Sequence, residues 1–219
     1  MTSAILAELE RLAVVPVVEI DEVSAAVPLA DALAAAGITT MEITLRTAGA
    51  LDAIRAVTSE RPDFLVGAGT ITSALDVEAA TLAGARYLVS PGRTDVLTEA
   101  ARSVGIPYIP GAVTPTEVMA AAEADLTHVK FFPAGAFGGA DALLSLSTPL
   151  TGLGLRFMPT GGIRPENLSR YLSIPAVFAV GGTWIAARDL LRERRFDEIT
   201  RRAREAMGVR DDREHGGTA

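Results

Sequence analysis

A chain of 219 residues, 49% apolar and 21% charged, has the length for one domain or at most two around a substantial core, and the balance of a globular protein. Its formal net charge of -7 argues against a nucleic-acid surface; the one basic cluster, residues 192–204, is interleaved with Glu193, Asp197 and Glu198 and reads as a solvated helix face. The lack of cysteine excludes disulfides, thiolate-bound zinc and thiol catalysis, and two histidines, His128 and His215, are too few for a His-rich metal site.

Residues 2–12 read as a short amphipathic helix. With Glu8, Glu10 and Arg11 in its apolar part and no basic leader, the N-terminal stretch fits neither a signal peptide nor a membrane span, and a cytoplasmic protein is expected. Short β-branched runs then alternate with Ala-rich helical patterns. The strands predicted are VVPVVEI (14–20), TTMEITL (39–45), FLVGAG (64–69), YLVSP (87–91), YIPGAV (108–113), HVKFFP (128–133), RFMPTGG (156–162) and VFAVGG (177–182). Between them lie helical patterns, one with Leu51, Ile54, Arg55 and Thr58 bounding a face. Gly37, Gly84 and Gly105 stand where a helix closes in a left-handed residue before the next strand. Thr94 and Thr114 are candidate N-caps, the latter followed by Pro115 at a favourable first-turn position.

Eight strand–helix units in so short a chain predict an α/β protein, a (β/α)8 TIM barrel with an extra N-terminal helix covering its bottom. An open dinucleotide-binding sheet is disfavoured, since no G-x-G-x-x-G follows the first strand. The barrel is expected to occupy residues 1–207 as a single domain, with 208–219 (GVRDDREHGGTA) a disordered polar tail.

In such barrels the chemistry sits at the C-terminal ends of the strands. On strand two, Glu42, Thr44 and Arg46 share one face by the period of two, while Met41, Ile43 and Leu45 form the apolar outer face. Strand three ends in Gly67, Gly69 and Thr70, and strand four in Ser90 and Pro91. Strand six puts His128, Lys130 and Phe132 on one face. The glycine pairs Gly161–Gly162 and Gly181–Gly182 follow strands seven and eight, where freed backbone N–H groups, with the Thr183 hydroxyl, suit a phosphate. His128 reads as a hydrogen-bonded core residue and Trp184 as packing behind that loop; Glu19 reaches the mouth with no assigned role.

Lys130 is the one lysine in the chain; the other 19 of the 20 basic residues are arginine. Lysine is almost never buried unpartnered, and burial disfavours the ammonium over the neutral amine, which attacks carbonyls to form a Schiff base. Glu42 is the one carboxylate expected at an inward mid-strand position, so the pair reads as Schiff-base lysine and general acid/base, as an aldol cleavage requires. A structural Lys–Glu ion pair is the alternative. Two other readings fit the same residues: a metal-free phosphosugar isomerase or epimerase with Glu42 as base, and a non-catalytic barrel that binds phosphorylated ligands.

Taken in order, VVPVV, MEITLRT with ALDAI, VGAGT, SPG, PYIPG, KFFPA, PTGGI and VGGTW make the chain, from about residue 13 to 186, resemble the class I aldolases of the 2-keto-3-deoxy-6-phosphogluconate (KDPG) and 4-hydroxy-2-oxoglutarate (KHG) type. The resemblance implies a (β/α)8 homotrimer that needs no metal or other cofactor and acts on a phosphorylated 2-keto acid. It would cleave KDPG to pyruvate and glyceraldehyde 3-phosphate in the Entner–Doudoroff route, or KHG to pyruvate and glyoxylate, with the galactonate epimer of KDPG as an alternative substrate. It implies Lys130 as the Schiff-base residue and Glu42 as the general acid/base. Arg46 and Thr70 would hold the pyruvate carboxylate, Pro91 and Phe132 would shape the pocket, and Thr160 would lie near the hydroxyl-bearing carbons. Gly161, Gly162, Gly181, Gly182 and Thr183 would hold the phosphate. Two positions depart from the family pattern: Gly135 where a Glu is common, and Thr183 where the loop often has Ser.

Overall fold

The β-branched runs become strands because alternate residues find apolar partners on two sides, inside a barrel and beneath a ring of helices. A computed structural model describes residues 2–215. Its strands are β1 (Val14–Val18), β2 (Thr40–Thr44), β3 (Leu65–Gly69), β4 (Tyr87–Val89), β5 (Tyr108–Ile109), β6 (His128–Phe131), β7 (Arg156–Pro159) and β8 (Val180–Gly182). All lie within the eight predicted runs. β5 is the shortest because Pro110, which has no N–H to give a ladder, follows it at once.

The helices are α1 (Thr2–Leu12), α2 (Ala26–Ala34), α3 (Ala50–Glu60), α4 (Ala74–Leu82), α5 (Asp95–Val104), α6 (Pro115–Glu123), α7 (Gly139–Ser147), α8 (Pro165–Leu172), α9 (Arg188–Arg192) and α10 (Phe196–His215). Thr94 and Thr114 cap α5 and α6 as expected, with Thr114 and Glu117 forming a reciprocal capping box. α3 buries Ala50, Ala53, Ile54 and Val57, leaving Arg55 exposed against Asp52. Among the described residues, no helix is long and apolar enough to cross a membrane.

Six strands run parallel in the order β5-β4-β3-β2-β1-β8, and β6 pairs with β7. Bridges from Gly111 to Lys130, and from Phe157 and Thr160 to Val177 and Gly181, join the two groups into a closed barrel. The interior is filled by matching large side chains to missing ones. A Cβ on Gly67 would lie 2.1 Å from the Tyr87 ring, so this glycine makes room for a fully buried tyrosine. Tyr87 shares a 3.1 Å hydrogen bond with the Thr40 hydroxyl, and burial pushes its own hydroxyl above the ordinary tyrosine range.

The bottom of the barrel is closed by α1, whose Ile5 and Leu9 join Val15, Val89, Ile109, Met158 and Phe178 in one interior cluster. There His128 meets the Glu10 carboxylate through Nε2 at 2.8 Å and the Thr127 hydroxyl through Nδ1 at 2.9 Å, with its ring edge-on to Phe178. Burial holds the His128 imidazole below its usual proton affinity, partly offset by Glu10. It is the hydrogen-bonded core histidine that the sequence suggests.

The C-terminal segment differs from expectation. Residues 208–215, read as a disordered tail, continue α10 to His215; residues 216–219 lie outside the described residues. Tertiary contact explains the difference. Val209 packs against the core, and Arg210 pairs with Asp211 and donates to the backbone carbonyl of Arg11 in α1 at 3.3 Å. A polar composition hides such anchors.

Candidate active site

The period of two on β2 and β6 turns Glu42 and Lys130 inward, and the barrel brings them together from 88 positions apart in the chain. Lys130 Nζ donates to Glu42 Oε1 at 2.9 Å and to Oε2 at 3.2 Å. Lys130 is 6% exposed and Glu42 is 0% exposed. Removing both charges from water costs several kcal/mol per ion, by order of magnitude, which mutual attraction only partly offsets. An apolar pair would fill this space at lower cost, so the position is better explained by chemistry than by stability.

Gly69 is part of this arrangement. A Cβ there would lie 2.1 Å from Glu42 Oε1, so the absence of a side chain on β3 lets the carboxylate reach the lysine. On the other side the Phe132 ring centroid lies 5.3 Å from Lys130 Nζ, within cation–π range, and Phe132 is half-buried.

Above this pair, at the rim, Arg46 turns back over the mouth. Its Nε donates to the Thr70 hydroxyl at 3.2 Å and its Nη1 to Glu19 Oε1 at 2.9 Å. Thr70 has φ of 61°, left-handed backbone that a β-branched residue adopts at a cost of about 1–3 kcal/mol, and such strain gathers at binding sites. Below Arg46, Thr44 donates to the Val18 carbonyl at 3.1 Å. A cavity of about 380 Å³ is lined by Glu19, Thr44, Arg46, Thr183, Trp184 and Arg188, among others. Arg46 and Thr183 thus share one opening.

The glycine pairs form the third group; Gly161–Gly162 follow β7 as expected, whereas Gly181–Gly182 lie in β8 itself, paired with β1, and do not follow it. Gly161 and Gly162 have φ of 92° and 77°, which only glycine adopts freely, so the chain can turn sharply from β7 into α8. Thr160, 3% exposed, packs its hydroxyl against Gly181, where a Cβ would lie 2.2 Å away. Gly182 backs onto the Trp184 ring, and Thr183 is exposed. Gly135 leans on this loop, its N–H donating to the Gly161 carbonyl at 2.9 Å. Pro91 is exposed at the rim; its carbonyl lies 2.0 Å from where a Gly111 Cβ would stand, and Gly111 bridges to Lys130.

Sequence reasoning left Glu19 without a role and did not single out Arg188, which touches it. Barrel closure sets β8 beside β1, so the loop after β8 falls over the end of β1. An acidic residue at one strand end and arginines after its two neighbours was the available signal. Among the described residues, no three His, Asp or Glu side chains gather as a metal site.

A buried primary amine held by a carboxylate inside a parallel barrel is an arrangement that a lysine-dependent lyase acting on carbonyl compounds can use. The model of the KDPG and KHG aldolase family matches residues 5–202. The chain is 44% identical over 194 residues to the KHG/KDPG aldolase of Escherichia coli K12, covering 89% of this chain and 90% of the relative. Among solved structures, it superposes on a KDPG aldolase from Legionella pneumophila with a TM-score of 0.88 at 37% identity, covering 94% and 98% of the two chains. That structure holds pyruvate as a covalent carbinolamine intermediate. A KDPG aldolase from Zymomonas mobilis, with 3-phosphoglycerate, matches at TM-score 0.84 and 38% identity, covering 92% and 94%. The chain belongs to the KDPG and KHG aldolase family.

Proposed function

We propose that this chain is a cytoplasmic class I aldolase that releases pyruvate from a phosphorylated 2-keto-3-deoxy sugar acid of the KDPG type. The observation that carries the reading is the contact of the one lysine with Glu42, at 2.9 and 3.2 Å, inside the barrel. Glu42 takes a proton from Lys130, the neutral amine adds to the C2 ketone, and Glu42 returns the proton to the departing hydroxyl, leaving water and an iminium. As carboxylate again, Glu42 removes the C4 hydroxyl proton. The C3–C4 bond breaks, its electron pair moves into the iminium to form an enamine, and C4 becomes the aldehyde carbon of glyceraldehyde 3-phosphate. Glu42 delivers its proton to C3, the future methyl of pyruvate, and water hydrolyses the iminium to restore the amine.

Arg46 and Thr70 hold the C1 carboxylate in this reading. Pro91 and Phe132 wall the site, and Thr160 lies by the hydroxyl-bearing carbons. The N–H groups of Gly161, Gly162, Gly181 and Gly182, with the Thr183 hydroxyl, take the phosphate. The carbinolamine in the Legionella relative and the phosphorylated ligand of the Zymomonas relative support the two halves of this assignment.

The same reading takes the chain as a homotrimer. Leu75 and Leu82, seven residues apart on one face of α4, are 75% and 76% exposed, and Val96 on the neighbouring α5 is 67% exposed, an apolar face suited to a second copy. Sedimentation equilibrium is expected to give three chains for the wild type and a smaller species for Leu82→Glu.

Coupled pyruvate release from KDPG, its galactonate epimer and KHG tests the substrate. The highest kcat/KM is expected for KDPG; preference for KHG removes the phosphate assignment, and no pyruvate from any of the three refutes the aldolase reading.

A further inference from the structure

Glu19, just beyond β1, divides its carboxylate between two arginines. Oε1 accepts from Arg46 Nη1 at 2.9 Å, and Oε2 lies 3.4 Å from Arg188 Nη1. Arg188 is in turn held by Asp21, which accepts from its Nε at 2.8 Å and from Arg192 Nε at 2.9 Å. The two guanidiniums, Arg188 first, draw the Asp21 carboxyl down to about 2, so it stays ionised. A ladder of alternating charge therefore runs from α9 across the end of β1 to the arginine at the mouth.

Two consequences follow for Arg46, whose side chain is 49% exposed and would otherwise sample many rotamers. First, its fork is held at two points, Nε by Thr70 and Nη1 by Glu19, and Nη2 has no hydrogen-bond partner among the described residues. The Thr70 hydroxyl, having accepted from Nε, keeps its own O–H to donate. Second, the ladder does not cancel the attraction for an anion. Three guanidiniums, of Arg46, Arg188 and Arg192, meet two carboxylates, of Glu19 and Asp21, leaving a net positive charge beside the cavity.

We infer that Glu19 is a positioning residue: it touches no substrate, but fixes Arg46 so that Nη2 and the Thr70 hydroxyl form a ready pair of donors for the substrate's carboxylate. The inference rests on Arg46 holding that carboxylate, as proposed above. Pre-orientation of an arginine acts on binding of the carboxylate, common to the ground state and the transition state, and so on KM rather than kcat.

Pyruvate release from KDPG is measured for three variants. Glu19→Met keeps the length of the side chain and removes the acceptor; it is expected to raise KM about 10-fold with kcat within about twofold. Glu19→Gln retains an oxygen acceptor for Arg46 and should stay within about threefold of the wild-type KM. Arg46→Ala should raise KM by about 100-fold. If Glu19→Met does not fold, Glu19→Ala is read in its place. A wild-type or lower KM in Glu19→Met, with Arg46→Ala impaired, overturns the positioning role alone; a lower value would make Glu19 a competitor of the substrate. Equal rises in Glu19→Met and Glu19→Gln also overturn it, because charge and not the held geometry would then matter. An unchanged KM in Arg46→Ala removes the carboxylate assignment itself.

Discussion

Strand β6 carries two residues on its inner face that each meet a glutamate, and the two pairs differ in almost every physical respect. Lys130 meets Glu42 within the barrel wall, both close to fully buried, with Gly69 opposite to give the carboxylate its space. His128, two positions nearer the bottom, meets Glu10 of α1, which is partly in water, and is packed edge-on by Phe178. The lower pair ties α1 to the barrel floor and can exist as neutral imidazole and carboxylate, so it carries little electrostatic cost. The upper pair places two ionisable groups almost wholly out of water. The base–carboxylate contact is thus common to both pairs, and depth in the barrel sets them apart: both partners of the upper pair are almost fully buried, whereas Glu10 of the lower pair is partly exposed.

The largest expected effect comes from changing the upper pair. Lys130→Arg keeps the charge and cannot form an imine; turnover should fall by more than ~10³-fold in steady-state assays, and preserved turnover would favour an isomerase or epimerase built on Glu42. Glu42→Gln should lower kcat by about 10²–10⁴-fold and slow exchange of the pyruvate methyl protons with solvent by NMR, while leaving adduct formation on Lys130 possible. Unchanged exchange would contradict its role as proton carrier.

A smaller effect tests the space around the pair. Gly69→Ala sets a methyl where Glu42 Oε1 now lies. Overpacking of this kind costs about 1–3 kcal/mol of stability, and displacement of the carboxylate should lower kcat, both measurable on the purified variant. Lowered stability with wild-type kcat would show that the glycine only relieves packing and that turnover does not need the carboxylate at the lysine.

The lower pair should respond least. His128→Gln is expected to leave kcat within about twofold and to cost about 1 kcal/mol of stability in denaturant titration. Its pH dependence has a defined sign. Burial holds the folded proton affinity of His128 below its ordinary value, so the unfolded chain takes the proton more readily. The stabilising contribution is present above the unfolded value of about 6.5 and is lost as pH falls through the folded one. Between pH 7 and 5 the wild type should lose more stability than His128→Gln; equal losses would show that the histidine is not held neutral.

Much of this was legible in the sequence. The β-branched runs were readable because each barrel strand is apolar on at least one side, and the parity of Glu42 and Lys130 turned both inward. The glycine pairs, one just after β7 and one at the end of β8, stood out for the same reason of position. The remainder depended on contacts made by closure. Glu19 and Arg188 stand 169 positions apart and meet because β8 lies beside β1. The helical course of residues 208–215 depends on Arg210 and Val209 finding α1 and the core, which local composition does not record. The left-handed Thr70 was unreadable too, since nothing in its local sequence asks a threonine to adopt that backbone.

Borohydride trapping with pyruvate, followed by peptide mass mapping, tests the central claim most directly. Lys130 and the α-amine are the primary amines of this chain, so the position of an adduct has one informative answer. A reduced pyruvyl group on Lys130, absent from Lys130→Arg, is the result predicted; no adduct on Lys130 with pyruvate or with KDPG would contradict the Schiff-base mechanism.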